Sequence, residues 1–438
     1  MNFVSNFFIF IFTLVPIFLI TGPALPDITI TFSGLFFLFL FIFIKKNYFF
    51  LGENFFKISI FFWISIIFVS FFAYDKPQSF QDSLIFLRLL IMPTICYFLY
   101  FNNQKKIENV IKVIFFCVIF VIFDTLYQYL NYSSEFGFGE DLLGFKTDWY
   151  GRLTGPFGDE LIPGAYLSKF SLLGYLFFFF VKKIKYKTTI EVLYLSLVGL
   201  VCFASGERMA FATYFLALFF LFVFLNTKRI IMLYSIILSL IFIAISIYFH
   251  PFYNDFNVIS SSQYHQGLVV EKSYECEENV SGYCNKIINL QPSFIEVIRN
   301  FNTSAYGEIY NVGLNMFKNN PFTGVGISNY QISCLKNNEY RGLMVNYDCA
   351  SHPHNTYIQL LSEGGLITFI CFNILLIYIL YLLYRGKNQK IFNYISIATM
   401  LVIFWPIMST GSLFKNWNGV LTFYIIGICI SINRIKIN

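Results

Sequence analysis

Two histidines separated by one proline stand out in the segment Ser351-His-Pro-His-Asn-Thr-Tyr-Ile-Gln-Leu-Leu-Ser-Glu-Gly-Gly365. Pro353 favours an extended residue before it. Asn355 or Thr356 is suited to cap the helix that follows, and Thr356-x-x-Gln359 fits a capping box. His354 then sits just ahead of a helix N-terminus, where the helix dipole disfavours an imidazolium. With a reference pKa of about 6.5, such a histidine is largely neutral at pH 7 and can accept a proton. On their own, His352 and His354 read first as surface loop residues that cap and pack.

Three arginines lie in or beside apolar stretches, where a charge is costly and usually functional. Arg208 occupies a very short link, Ala204-Ser-Gly-Glu-Arg-Met-Ala210, between two such stretches. Arg152 lies in Tyr150-Gly-Arg-Leu-Thr-Gly-Pro-Phe-Gly-Asp-Glu160, just before another, and Arg88 lies within one. A planar guanidinium suits bidentate binding of phosphate oxygens, so arginines converging at one membrane surface would form a diphosphate site. For Arg88 an internal salt bridge or snorkelling is the preferred reading. Arg208 is read equally well as a partner of Glu207 or of a lipid headgroup. Asp159, Glu160, Glu207 and Glu363 could orient these cations or a sugar hydroxyl, or be solvated loop acids.

The elements that must position these groups are membrane helices. The chain is 57% hydrophobic and only 12% charged, about half the charge of an ordinary soluble domain. Its mean hydropathy is +0.65. Stretches of about 20 apolar residues span a bilayer. They predict twelve helices, near 3–20, 28–44, 56–73, 81–100, 110–130, 162–181, 190–205, 209–225, 230–249, 357–384, 391–408 and 418–432. The first is read as a transmembrane helix and not a cleaved leader, because no basic residue precedes it and no small-residue cleavage site follows.

Orientation follows from lysine and arginine in short loops. Lys45, Lys46 and Lys57, then Lys105, Lys106 and Lys112, then Lys182, Lys183, Lys185 and Lys187 fall in alternate loops. Lys228 and Arg229, Arg385, Lys387 and Lys390, and Arg434 and Lys436 continue the alternation. This places both termini in the cytoplasm. The expected fold class is therefore all-α: a polytopic inner-membrane protein with one large periplasmic loop between helices 9 and 10. Residues 1–249 form helices 1–9, 250–356 the loop domain and 357–438 helices 10–12. The loop holds more acids than bases, which argues against a nucleic-acid partner. No metal and no cofactor are expected.

Five cysteines (Cys96, Cys117, Cys202, Cys371, Cys429) fall in apolar stretches, where a thiol is a small hydrophobe. Four lie in the loop, Cys276 with Cys284 and Cys334 with Cys349. They suggest two disulfides, and nearest neighbours are the simplest of three possible connectivities. Zinc ligation competes, but neither spacing is that of a common structural zinc site. Within the loop, Tyr310 to Asn320 reads as an amphipathic helix lying on the bundle or at the membrane surface. Pro321 ends it. The Gly-x-Gly that follows is a weak phosphate-loop signal, with no strand before it and no lysine after.

The pattern Asn320-Pro-Phe-Thr-Gly-Val-Gly326, followed by His352-Pro-His-Asn-Thr-Tyr-Ile-Gln-Leu-Leu-Ser-Glu-Gly-Gly365, resembles the signature of the O-antigen ligase and O-antigen polymerase superfamily. Arg152-Leu-Thr-Gly-Pro-Phe-Gly-Asp-Glu160 and Ser205-Gly-Glu-Arg208 are similar to further family segments. The resemblance implies a metal-independent glycosyltransferase whose donor is a glycan on undecaprenyl diphosphate. The acceptor would be lipid A–core in a ligase or a lipid-linked repeat in a polymerase, with a chain-length regulator as a further partner in the second case. It makes His354 the catalytic base, with His352 and Asn355 supporting, and Arg208 a diphosphate ligand. Where the family often has another arginine, opening the amphipathic helix, this chain has Tyr306. Arg152 or Arg299 would then supply the second cation. A protein O-glycosyl ligase is the rival within the superfamily. A transporter is the rival outside it, disfavoured by the absence of a two-fold internal repeat.

Overall fold

Apolar runs that enter lipid must satisfy every backbone N–H and C=O within themselves, and helices do so along their whole length. The structure is a computed structural model that describes residues 2–43, 54–100, 103–133, 137–147, 151–181, 183–254, 299, 301–341, 349–386 and 390–434. Nine principal helices precede the large loop: α1 Asn2–Phe18, α2 Ala24–Phe43, α3 Asn54–Ser70, α4 Lys76–Tyr100, α5 Gln104–Leu130, α6 Pro163–Tyr175, α7 Lys187–Ala204, α8 Arg208–Phe224 and α9 Arg229–Phe249. The described part of the loop contributes α10 Ala305–Asn319 and α11 Tyr330–Lys336. α12 Thr356–Tyr384, α13 Lys390–Ile403 and α14 Asn416–Arg434 follow. Among the described residues, strand is confined to a hairpin that pairs Tyr132–Ser133 with Gly137–Phe138.

Among the described residues, five helices are long and apolar enough to cross a membrane: α4, α5, α7, Asn226–Phe249 and α12. Shorter apolar helices lie within α1, α2, α3, α8 and α13. The stretch expected at 162–181 is not one helix. α6 ends at Tyr175, and Phe177–Phe180 forms a separate short turn whose Phe177 stacks on Phe115 with centroids 4.2 Å apart. Many large apolar side chains face outward, Phe10, Ile28, Phe61, Phe116 and Ile377 among them. An aqueous surface tolerates few such patches, whereas lipid solvates them.

The bundle core is apolar, and two ion pairs lie within it. Arg88 meets Asp27 at 2.6 Å and donates to Thr31 Oγ1 at 2.6 Å and Asn416 Oδ1 at 2.9 Å. It thereby ties α4 to α2 and to the start of α14, the internal salt bridge preferred from sequence. Lys228 Nζ meets the fully buried Glu191 at 2.8 Å, and Tyr175 donates to the same carboxylate at 2.8 Å.

The amphipathic helix starts earlier than its apolar spacing suggests. Ser304 accepts a hydrogen bond from the Gly307 amide at 3.1 Å, so α10 opens at Ala305 with a capped N-terminus. Ile309, Val312 and Met316 are buried, Phe317 at the same helical spacing is half-buried, and the helix packs against α12. It therefore lies on the bundle. Cys334 and Cys349 form a disulfide, as the nearest-neighbour reading anticipates. Cys276 and Cys284 lie outside the described residues.

The turn Pro321–Gly326 and the break in α12 explain one another. Gly365 has φ 61° inside α12. The turn feeds its backbone into that break: Val325 N donates to Ser362 O at 2.9 Å, Gly326 N to Glu363 O at 2.9 Å, and Leu366 N to Pro321 O at 2.9 Å. A Cβ on Gly324 would fall 2.4 Å from the Glu363 carbonyl carbon, and one on Gly365 would fall 2.3 Å from that of Phe322. The Gly-x-Gly is thus a close backbone approach that docks the loop onto α12, not a phosphate cradle.

Candidate functional site

The His-Pro-His-Asn segment is held from three directions. Asn355 caps α12, its Oδ1 accepting from Tyr357 N at 2.9 Å and Ile358 N at 3.1 Å. Its amide donates to Pro406 O at 2.8 Å. The capping box expected of Thr356 and Gln359 does not form. Thr356 Oγ1 turns to Met408 Sδ, and Gln359 is engaged deeper, donating to Glu363 Oε2 at 3.0 Å. Tyr310 of α10 donates to the Met408 carbonyl, which closes the loop domain onto the segment that follows α13.

His354 itself has φ 53°, a left-handed conformation uncommon for a residue with a Cβ. Such strain persists only where surroundings enforce it, and it clusters at functional sites. Here the His354 carbonyl accepts from Thr410 N at 2.8 Å. The imidazole lies between two rings, with His352 at 4.1 Å and Tyr306 edge-on at 5.7 Å between centroids. Burial lowers the His354 pKa, against an opposing interaction with the Thr410 backbone. His352 is pushed down to about 3, by burial first and then by the adjacent His354. Both rings are therefore neutral at pH 7. His352 Nδ1 pairs with the Ser351 hydroxyl at 2.9 Å.

The arginine-bearing segments meet elsewhere on the same end of the bundle. Leu153 N donates to Ser205 O at 3.4 Å. Arg152 crosses Gly206, where a Cβ would lie 2.9 Å from Arg152 Cδ, and donates to Leu161 O at 3.3 Å. Glu207 spends both carboxylate oxygens on the first amides of α6: Oε1 accepts from Gly164 N at 2.6 Å and Oε2 from Ala165 N at 3.0 Å. A carboxylate there satisfies orphan amides and complements the dipole. Burial still raises its pKa to about 7, against Arg152, those two amides and Lys169, which favour the charged form. Arg208 is half-buried at the first position of α8.

Asp159, Glu160 and Arg299 are exposed. Asn355 and Glu363 are buried. Position 306, where the family often has an arginine, places an aromatic ring against His354 instead.

The two halves of the site are joined by residues the motifs did not flag. Lys169, only 7% exposed, donates to Asn418 Oδ1 at 3.0 Å. Thr410 Oγ1 donates to the same oxygen at 3.4 Å, and Thr410 N holds the His354 carbonyl. Lys169 lies inside a predicted span, so the rule that singles out Arg88 applies to it equally. Asn418 and Thr410 carry no comparable signal, because an amide or hydroxyl near a helix end is commonplace.

These features define a class: a polytopic helical membrane protein that gathers a neutral histidine pair and two arginine-bearing segments at one end of its bundle. The sequence model of the family described as O-Antigen ligase matches residues 193–373. That stretch takes in Arg208, the docking turn, His352, His354 and Glu363, and leaves Arg152 outside. The match supports the resemblance to the O-antigen ligase superfamily carried by the motifs within residues 193–373. No curated protein matches the chain.

Proposed function

We propose that this chain transfers a glycan from undecaprenyl diphosphate to an acceptor sugar, as an O-antigen ligase or polymerase working at the periplasmic face of the inner membrane. The twelve spans and cytoplasmic termini read from the loop charges would put the His segment and the 205–208 link on that face. The observation that carries the reading is His354: a strained, neutral imidazole clamped through Thr410 at the end of the bundle that also bears Arg208 and Arg152.

A sugar hydroxyl is a poor nucleophile until a positioned base takes its proton. In the proposed step His354 accepts that proton as the acceptor oxygen forms a bond to the anomeric carbon. The carbon–oxygen bond to the diphosphate breaks, and the electron pair leaves with the diphosphate. Attack from the opposite side inverts the anomeric centre. Arg208 and Arg152 bear the charge that develops on the leaving group, where fixed cations contribute most. Lipid A–core is the acceptor in a ligase, and another lipid-linked repeat in a polymerase, where a chain-length regulator would be a further partner.

Deletion in the native host followed by a lipopolysaccharide gel tests this. Loss of all O-antigen from the core, with polymerised glycan left on the carrier lipid, is the ligase outcome. A single repeat on the core is the polymerase outcome. An unchanged ladder would rule out both.

A further inference from the structure

Beside His352 lies a cavity of ≈ 190 Å³. Its walls come from four separated pieces of chain: the start of α4, the segment 328–332, the His segment with the first turns of α12, and residues 412–415. Nine of its ten lining residues are polar, the reverse of the mostly apolar wall of an ordinary small-molecule pocket.

The polar groups of this wall are oriented in advance. Glu363, 1% exposed, accepts from Tyr330 N at 3.2 Å and from Gln359 Nε2 at 3.0 Å. The Gln359 side chain is fully engaged: its amide also donates to Ser412 Oγ at 2.7 Å, and its oxygen accepts from Leu413 N at 3.1 Å. Ser412 Oγ accepts a second bond from Phe414 N at 3.2 Å. A hydroxyl that accepts twice has its own proton left to donate. His352 Nε2 is buried and has no hydrogen-bond partner among the described residues. Lys415, exposed, is the cation among the described lining residues.

Buried donors and acceptors left unmatched are costly, so a ligand for this cavity must match them. A pyranose does, because every hydroxyl both donates and accepts. A carboxylate-bearing ring would have to lie beside the buried Glu363 carboxyl, where burial already disfavours a negative charge, and an apolar ligand would match none of the groups that still face the cavity.

We infer that this cavity is a pyranose subsite. It seats one uncharged sugar ring, with Lys415, Ser412 and His352 as its hydroxyl-binding groups, and holds that ring beside His354. Assigning the ring to the acceptor rests on the proposed transfer; the sugar binding itself does not.

The test uses the full chain purified in detergent and the methyl pyranosides of glucose, galactose and N-acetylglucosamine, titrated by saturation-transfer NMR. Methyl glucuronide and the open-chain sorbitol are the comparators. Saturable binding of at least one neutral pyranoside is expected. Losing one hydrogen bond, at about 1 kcal/mol, corresponds to about fivefold weaker binding in Lys415→Gln or Ser412→Ala. Arg229→Gln, remote from the cavity, should leave binding unchanged. The inference is overturned if no neutral pyranoside saturates, if both cavity variants bind as tightly as the wild type, or if glucuronide or sorbitol binds as tightly as the neutral rings. His354→Ala separates the two readings. If it retained transfer, the catalytic proposal would fall while pyranoside binding stood; lost transfer with binding intact supports both.

Discussion

The histidine side and the arginine side of this site are built on opposite electrostatic plans. Around His354 the structure removes charge. Two half-buried imidazoles pack against each other, one of them also against an aromatic ring, and His352 is driven down to about 3. Around residues 152 and 205–208 the structure concentrates charge, with Arg152 and Lys169 acting on one carboxylate that is itself tied to backbone amides. A group that must take a proton at neutral pH has to be neutral beforehand, whereas a group that must hold a diphosphate has to stay charged. The same low-polarity surroundings serve both, because burial discharges a histidine but does not deprotonate an arginine.

The contrast can be broken most directly at His354. His354→Ala should lower the transfer rate about 10²–10⁴-fold with donor binding retained, measured with lipid-linked donor in reconstituted vesicles. A variant that keeps full rate would remove the base from the scheme. Arg208→Ala should instead act on the donor, raising its KM by about 10–100-fold for a lost charge-assisted contact worth ~1.5–3 kcal/mol. Arg208→Lys should restore only part of this, since an ammonium cannot make the bidentate contact. Normal donor affinity in Arg208→Ala would exclude that residue from the diphosphate site.

A smaller effect is expected where the loop docks. Gly365→Ala forces a Cβ onto the Phe322 carbonyl carbon and a strained φ, at a cost of about 1–3 kcal/mol. It should lower the Tm in detergent and loosen the His segment, because the break in α12 receives the turn that precedes it. An unchanged Tm would mean that the turn does not anchor there.

The subtlest change is in pH dependence. A base must be unprotonated to act, so activity falls as pH drops through the pKa of His354. Burial holds that pKa below the usual 6.5, and the acid limb of the rate profile should lie below 6.5. His352→Ala should open the pocket to water and move the limb upward. A wild-type limb at or above 6.5 would contradict the burial of the imidazole.

Much of this is written in the residue order. Apolar runs unbroken by charge predict the helices, the spacing of Ile309, Val312, Met316 and Phe317 predicts the inner face of α10, and Arg88 reads as an internal salt bridge or a snorkelling side chain, which Asp27 decides for the first. The His-Pro-His-Asn segment ahead of an apolar run suffices to nominate His354. What escapes is whatever depends on distant partners. Asn355 and Thr356 are equally good caps in sequence, and the choice falls to Asn355 because its own amide reaches Pro406 while Thr356 faces Met408. Gln359 looks like the far end of a capping box and is instead the hinge of a hydrogen-bonded wall.

By itself, then, the sequence determined that this is a helical membrane protein with a family histidine motif and costly arginines near its helix ends. Those are properties of composition and local spacing, because lipid imposes its demands residue by residue. Only the tertiary structure decided that Thr410 clamps His354, that Lys169 and Asn418 join the arginine side to it, and that Lys415 and Ser412 share a cavity with His352. Pairs such as Lys169 and Asn418, or Thr410 and His354, are far apart in the chain. Their meeting depends on which helices pack together, and no local pattern encodes that.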